Sequence, residues 1–199
     1  MKVRRPTLLA VIVAFGCILP ISAQEPEPSE SEDAAMMEAY ARAGTPGEHH
    51  AVLDRMVGEW DAEVRFWSDP DAEPMVTRAT SEIEWVMDGR FVRETVTSSF
   101  EGQPFHGVGY TGYNNLSGEY EAVWMDNHST ALYRYAGELD DRGRMNFHSE
   151  SIDPLTGKKV KEKGVSEFVS DDEMIARSYR LEDGEEILTM ELRYRRASM

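Results

Sequence analysis

Cysteine is almost absent from the 199-residue sequence, because its single copy, Cys17, lies in an apolar N-terminal segment. If that segment is removed on export, the mature chain has no cysteine. It then has no disulfide, no thiol nucleophile and no thiolate ligand for a metal. The stability of the folded part must therefore come from a packed core.

Positive charge is also scarce: 21 Lys and Arg residues face 37 Asp and Glu residues, which gives a net charge of −16 at pH 7. Such a chain repels nucleic acids and anionic membrane surfaces, so we predict no nucleic-acid partner. Much of the acidic excess lies in Glu25–Asp33, a tract rich in Pro, Glu and Ser. This composition cannot bury apolar area and predicts a disordered tether.

The first 23 residues are typical of a secretory signal peptide. A basic start, "MKVRRP", precedes an apolar run from Leu8 to Ile21, and Ala23 supplies a small residue for cleavage. Cleavage after Ala23 takes the net charge from −16 to −19. We therefore expect an exported protein, periplasmic or secreted.

The apolar run is shorter than the roughly 20 residues of a membrane span, so we expect no membrane insertion after cleavage. An uncleaved anchor is one alternative. Another is attachment of a lipid to Cys17, which the small residue Gly16 before it favours. The segment that continues after Cys17 is still apolar, which favours ordinary cleavage.

Long helical patterns are absent after Gly58, where the apolar period changes to two, as in half-buried strands. Two short helical patterns, 33–44 and 46–58, precede this change. Turn signals then recur about every ten to fourteen residues and separate ten segments of strand length. The predicted strands are 59–68, 75–87, 90–100, 104–113, 119–126, 130–139, 144–152, 158–169, 173–181 and 186–196.

This pattern predicts an all-β fold. Without helical crossovers the strands cannot be parallel, so they form an antiparallel up-and-down meander. Closure of ten hairpin-linked strands into a barrel removes two exposed sheet edges. We predict a signal peptide over 1–23, an acidic linker with a short helix over 24–45, and the barrel over 46–199.

The segment "HGVGYTGYNN" contains the G-x-G-x-x-G spacing of a dinucleotide-binding loop, at Gly107, Gly109 and Gly112. That loop requires a helix directly after the glycines, whereas a turn, "NNLSGE", follows here. The glycines therefore lie within a strand, where they relieve crowding at a bend or beneath a crossing side chain.

Recognisable catalytic and metal-binding motifs are missing. The chain has no G-x-S-x-G elbow and no H-E-x-x-H helix. His50 and Asp54 have i,i+4 spacing, but two ligands do not hold a metal without a third. We predict no metal site, and the sequence assigns no catalytic residue.

Aromatic residues are abundant in the predicted strands, and they suggest a lined cavity for a small, mostly apolar ligand. The alternative is that the same rings simply fill the interior, although ten strands leave more room than eight. His106 shares its face with Val108 and Tyr110, the most apolar surroundings of the strand histidines. The predicted interior, ligand-binding residues are Trp85, His106, Tyr110, Trp124, Tyr133 and Tyr135.

Three charged residues in the strands, Glu84, Arg93 and Glu94, admit two interpretations. An inward Arg–Glu pair could bind the carboxylate or carbonyl of a ligand, because a buried charge needs a partner. All three could equally face water on the outside of the barrel. The sequence does not decide between them.

The segment "GEW", with Gly58 and Trp60, resembles the G-x-W of the first strand in lipocalins and other calycins. In those barrels the tryptophan plugs the closed end and an arginine of the last strand lies over its ring. The resemblance implies that Gly58 and Trp60 close the barrel, with Arg193 or Arg195 as the cation. Such a contact contributes about 0.5–2 kcal/mol.

A wider set of segments resembles a bacterial family known as domain of unknown function 1579. They include "LDRMVGEWDAEVRFW", "DGRFVRE", "FEGQPFHGVGYTGYNN", "YEAVWMDNHST" and "MELRYRR", and the resemblance extends over 48–196. It implies a calycin-like barrel and no established activity. A haem-binding calycin, nitrobindin, uses a histidine near its end. The final strands here contain none, so we predict no cofactor.

These observations favour an exported barrel that binds a small apolar or amphipathic molecule without transforming it. One alternative is an isomerase- or cyclase-like enzyme that needs a single acid or base in an apolar cavity, with His106 beside Tyr110 or Glu94. Another is a module that binds a protein partner through the outer face of the barrel.

Overall fold

The structure is a computed structural model that describes residues 30–198. The predicted signal peptide, its cleavage site, Cys17 and the first residues of the acidic linker lie outside this range. Across residues 30–198, no helix is both long enough and apolar enough to cross a membrane.

Three short helical elements precede ten strands. They are the helices α1 (Glu30–Gly44) and α2 (Glu48–Ala51), followed by a 3-10 helix (Val52–Met56). The strands are β1 (Gly58–Phe66), β2 (Met75–Val86), β3 (Phe91–Phe100), β4 (Gln103–Asn114), β5 (Glu119–Asp126), β6 (Tyr133–Leu139), β7 (Met145–Ile152), β8 (Lys159–Phe168), β9 (Glu173–Glu182) and β10 (Glu185–Arg196). Each predicted strand end lies within three residues of the observed one.

The ten strands form a closed antiparallel barrel in which each strand pairs with its neighbours in sequence. The last strand returns to the first, and β1 and β10 pair in register from Trp60 with Arg196 to Phe66 with Met190. The predicted ten-stranded antiparallel up-and-down barrel is confirmed.

The short helices cover one end of the barrel, which we call the helix end. Leu53 of the 3-10 helix is completely buried there, against a core that includes Trp60, Ile83, Val92 and Tyr120. Two inward rings are tied to the helices: Trp60 Nε1 donates to the Met56 carbonyl at 2.8 Å, and the Tyr120 hydroxyl donates to a carbonyl of α2. Burial of each large apolar side chain contributes about 1.5–3 kcal/mol, so this end anchors the fold.

A cation closes the helix end over Trp60. The guanidinium carbon of Arg196 lies 4.2 Å from the centre of the indole ring. Its Nη1 donates to the Val57 carbonyl at 2.8 Å, and its Nη2 donates to the carbonyls of Arg55 and Asp171. Arg196 thus joins the end of β10 to the segment that enters β1.

The expectation that Arg193 or Arg195 lies over the indole is wrong. Both face outward, where Arg193 pairs with Glu191 at 2.7 Å and Arg195 pairs with Glu173 at 3.1 Å. Alternation along β10 puts these two residues on the outer face, whereas Arg196, the register partner of Trp60, shares its inward face.

Gly58 is required by this closure. Its φ of +136° is a conformation that residues with a side chain rarely adopt. An added Cβ would also lie 2.5 Å from Nη1 of Arg196. The glycine of the G-x-W segment therefore makes room for the guanidinium that stacks on the tryptophan.

We expect Gly58→Ala to lower the free energy of unfolding by about 1–3 kcal/mol, because the alanine meets both backbone strain and the Arg196 guanidinium. Gly44→Ala is the control, since an added Cβ there meets no atom within 4 Å. We expect the control to change stability by less than about 0.5 kcal/mol. Urea unfolding followed by circular dichroism measures both, and equal stabilities would contradict the role of Gly58.

Candidate functional site

The interior of the barrel is partly open to solvent beyond the helix end. Alternation and strand register identify the inward side chains, and many of them on β5 to β10 keep an accessible surface. Examples are Ala122, Tyr135, Phe147, Glu162, Ser178 and Leu192. Side chains therefore do not completely fill this part of the interior, which we call the hollow.

The wall of the barrel opens between β6 and β7. These strands pair only from Ala136 with His148 to Leu139 with Met145. Beyond that point, residues 133–135 continue to pair with β5, and residues 149–152 continue to pair with β8. The two strands therefore separate along half their length.

A cavity of about 730 Å³ lies at this separation, which we call the side opening. Its lining combines inward side chains (Tyr135, Ser149 and Glu162) with outward ones such as Arg134 and His148. A cavity lined from both faces of a sheet indicates a gap in the wall, and the side opening gives solvent a route toward the interior.

A group of polar side chains surrounds Tyr135 inside this opening. Burial, and to a lesser degree the nearby charges of Glu162, Tyr133 and Asp126, raise the pKa of Tyr135 to about 12. Ser149 donates its hydroxyl hydrogen to Glu162 Oε2 at 3.2 Å. Tyr135, Ser149 and Glu162 thus place an aromatic ring, a hydroxyl and a carboxylate side by side in the lining of the side opening.

Trp124 lies flat across the glycines of β4. Its ring occupies the space that a Cβ at Gly107 would need, and its Cε3 lies 3.0 Å from the Cβ position of Gly109. Its Nε1 donates to Asp126 Oδ2 at 2.9 Å. The glycine-rich segment therefore admits an indole into the interior, as the strand interpretation of the motif predicts.

Glu94 is an inward acidic side chain of β3, and it accepts two hydrogen bonds from hydroxyl groups. The hydroxyls of Ser81 and Tyr194 both donate to its Oε1, at 2.7 Å and 3.2 Å. Burial raises the pKa of the Glu94 carboxyl above its ordinary value, and the two hydrogen bonds oppose that rise. Burial and the Glu94 charge also raise the pKa of Tyr194 well above its usual range.

Four of the six predicted interior residues face inward: Trp85, Trp124, Tyr133 and Tyr135. Trp124, Tyr133 and Tyr135 lie on the adjacent strands β5 and β6. Trp85 is separate from them, because its Nε1 donates to Asp54 Oδ1 at 2.8 Å at the helix end.

The expectation that His106 and Tyr110 line the interior is wrong. His106 is the register partner of Thr97, and both are exposed on the outer face. Tyr110 is the partner of Arg93, also on the outer face. The inward residues of β4 are instead Gly107, Gly109 and the residues at every second position on either side of them.

The structure also resolves the two interpretations of the charged trio. Glu84 and Arg93 form an ion pair on the outside of the barrel, whereas Glu94 points inward. The sheet therefore separates Glu94 from His106, and His106 and Tyr110 lie on the outer face four residues apart along β4, so neither proposed acid–base pair forms in the interior. Nor does any group of three or more metal-ligating side chains occur within residues 30–198.

Sequence reasoning missed Ser81, Glu162 and Tyr194 as interior residues. Tyr194 lies two residues before Arg196, so the register of β10 against β1 could have placed it inward. Ser81 and Glu162 carried no comparable signal, because both lie in strands whose two faces are mixed.

We expect Gly107→Ala to lower the free energy of unfolding by about 1–3 kcal/mol and to shift tryptophan emission, because its Cβ displaces the Trp124 ring. Gly164→Ala is the matched control, since this inward glycine would place its Cβ 3.6 Å from the nearest atom, in Phe147. Fluorescence during urea unfolding measures both. Unchanged emission in the Gly107 variant would show that the indole does not occupy this space.

We expect Glu94→Gln to stabilise the protein at pH 8 relative to wild type. Because its pKa is raised, Glu94 binds a proton more tightly in the native state than in the unfolded state. The free energy of unfolding therefore falls as pH rises from the pKa of Glu94 in the unfolded state through its pKa in the native state. The amide oxygen of glutamine still accepts from Ser81 and Tyr194. Thermal unfolding should give a higher Tm for the variant at pH 8 and a difference that shrinks toward pH 4; a gap that widens toward pH 4 would contradict the assignment.

Comparison with known proteins places the chain in a family. No curated protein sequence matches it. One similar solved structure is a protein of unknown function of the DUF3598 family from Nostoc punctiforme PCC 73102, which is 10% identical. That match covers 76% of this chain and 100% of the other, with a TM-score of 0.25. The family model described as "Protein of unknown function (DUF1579)" matches residues 45–196, and the chain therefore belongs to the DUF1579 family.

Proposed function

We propose that this protein binds a small amphipathic molecule in the interior of the barrel without transforming it, as a carrier or a sensor. The observation that carries the proposal is the hollow part of the interior, where inward aromatic side chains of β5 to β7 keep accessible surface. Ligand sites in proteins are concave, mostly apolar, and contain a few fixed polar groups.

The dimensions of the side opening support this proposal. Its volume of about 730 Å³ lies within the roughly 300–1,000 Å³ typical of small-molecule sites. Ala122 and Tyr135 offer apolar surface in its lining, while Ser149 and Glu162 offer polar atoms at the same place. The site thus has the two kinds of surface that an amphipathic molecule requires.

The side opening also supports a route of entry. Because β6 and β7 share no pairs between residues 133–135 and 149–152, a ligand can pass there without breaking hydrogen bonds of the sheet. We propose that the ligand enters by this route.

The N-terminal pattern supports export as the setting for this function. A basic start, a short apolar run and Ala23 favour release into the periplasm or the medium after cleavage. The acidic charge of the mature chain favours a small molecule over nucleic acid as the partner.

We expect the protein purified from the periplasm or medium of its own host to carry a bound small molecule, which native mass spectrometry detects as added mass. Ala122→Phe fills part of the hollow from an inward position and should reduce this occupancy at least about fivefold. Val76→Phe adds the same ring to the outer face, where Val76 is 58% exposed, and should leave occupancy unchanged.

Wild-type protein without added mass, and without a thermal shift when amphipathic amines, alcohols and carboxylic acids are added, would contradict the proposed function. Equal occupancy in both phenylalanine variants would instead place the ligand outside the hollow.

A further inference from the structure

Acidic side chains dominate the charge inside the barrel. Besides Glu182 and Glu185 at the turn between β9 and β10, alternation along the strands points three carboxylates inward, those of Glu94, Asp126 and Glu162. None of the three forms an ion pair with another side chain of residues 30–198. Buried charge without a partner is costly, and a bound cation would offset that cost.

The two inward arginines do not supply the missing positive charge. Arg180 is the register partner of Glu162, but its guanidinium lies 3.3 Å from Asp153 and 3.1 Å from Glu182. Arg196 lies at the helix end over Trp60, where backbone carbonyls hold it. Arg196 is thus held by the backbone, and Arg180 forms ion pairs with two other carboxylates, although its Nε has no hydrogen-bond partner within the described residues.

Two of the carboxylates each keep one oxygen available. Both hydrogen bonds to Glu94 end on Oε1, so Oε2 has no partner within the described residues. Glu162 receives Ser149 on Oε2, so its Oε1 is likewise unpartnered there. Both residues are partly accessible, and Glu162 lines the side opening.

Aromatic rings also face the interior, and one of them, Tyr135, lines the side opening together with Glu162. Trp124, Tyr133 and Tyr135 face inward on β5 and β6, and Phe147 follows on β7. Their faces attract cations by about 0.5–2 kcal/mol each when water is excluded. Burial is the main cause of the raised pKa of the Tyr135 hydroxyl, and the negative charges of Glu162 and Asp126 raise it further.

We propose that the interior selects an organic cation: an amine with an apolar body, whose ammonium group binds the free oxygen of Glu162 or Glu94 while its body packs on the aromatic rings. This inference rests on the binding function proposed above. An anion would meet three carboxylates and no uncommitted cation, and a neutral molecule would leave the carboxylates unpaired.

The test uses three probes of nearly the same shape and different charge: 4-phenylbutylamine, 4-phenylbutan-1-ol and 4-phenylbutyrate. Isothermal titration calorimetry at pH 8 keeps the amine protonated, since alkylammonium groups titrate near 10.4. We expect the amine to bind wild-type protein at least about tenfold more tightly than the alcohol, and the carboxylate to bind most weakly.

Variants assign the preference to particular residues. Glu162→Gln and Glu94→Gln should together reduce amine affinity at least about tenfold and leave alcohol affinity unchanged. Glu82→Gln removes the same charge from an exposed position on the outer face and should leave both affinities unchanged. The three-probe comparison on wild-type protein needs no variant, so it decides the question even if a substitution impairs folding.

The outcomes distinguish the two proposals. If the alcohol or the carboxylate binds as tightly as the amine, cation selectivity is overturned while the binding function stands. If the amine preference survives in the folded double variant, the carboxylates are not its cause and the assignment is overturned. If none of the three probes binds, the proposed function fails and this inference fails with it.

Discussion

The pairing of β10 with β1 closes this barrel, and the contact of Arg196 with Trp60 holds that pairing at the helix end. The contact joins the last residue of β10 to the beginning of β1. Without this pairing, β1 and β10 would be the two unpaired edges of an open sheet. The guanidinium also holds carbonyls of the segment between the 3-10 helix and β1. The Arg196 side chain thus contacts three parts of the helix end: the paired strands β1 and β10, the segment that follows the 3-10 helix, and the indole of Trp60.

Packing concentrated at the helix end leaves the other part of the barrel free to be hollow. The completely buried side chains, such as Leu53, Trp60 and Tyr120, cluster beneath the short helices. Several inward residues on β5 to β9, such as Ala122, Ser149 and Ser178, are small or polar and keep accessible surface. Because stability comes mainly from one end, the wall can part between β6 and β7 without loss of the core.

Charge and glycine shape the hollow further. Gly107 and Gly109 remove side chains from β4 and let the indole of Trp124 lie against the backbone. Gly109 is the register partner of the inward carboxylate Glu94 on β3. A solidly packed core would have aliphatic side chains at the positions of these glycines and carboxylates. Their presence in the interior instead favours a site for a bound molecule.

The sequence predicted the architecture well because period-two alternation and regular turns are local signals. It assigned the two faces of β4 the wrong way round for a physical reason. The inward face carries glycines, which have no apolar side chain, so the outer face with Val108 and Tyr110 was the more apolar of the two. The arginine over Trp60 was also missed. Three arginines fall within four residues, 193 to 196, and only the pairing of β10 with β1 tells them apart.

The side opening had no sequence signal, since it depends on where two neighbouring strands stop pairing. The same holds for the hydrogen bonds of Ser81 and Tyr194 to Glu94, which join strands far apart in the chain. Long-range register of this kind is set by the closed barrel rather than by local propensity.

Accessibility of the interior to a small reagent tests the central claim most directly. Ser178→Cys places a nearly isosteric thiol on the inward face of β9, and Thr97→Cys places one on the outer face. N-ethylmaleimide labelling of the native protein, mapped by mass spectrometry, compares the two. A hollow interior predicts that the inward thiol reacts within about tenfold of the outward rate. Labelling of the inward thiol only after the protein unfolds would show that the interior is filled, and would contradict the proposed binding site.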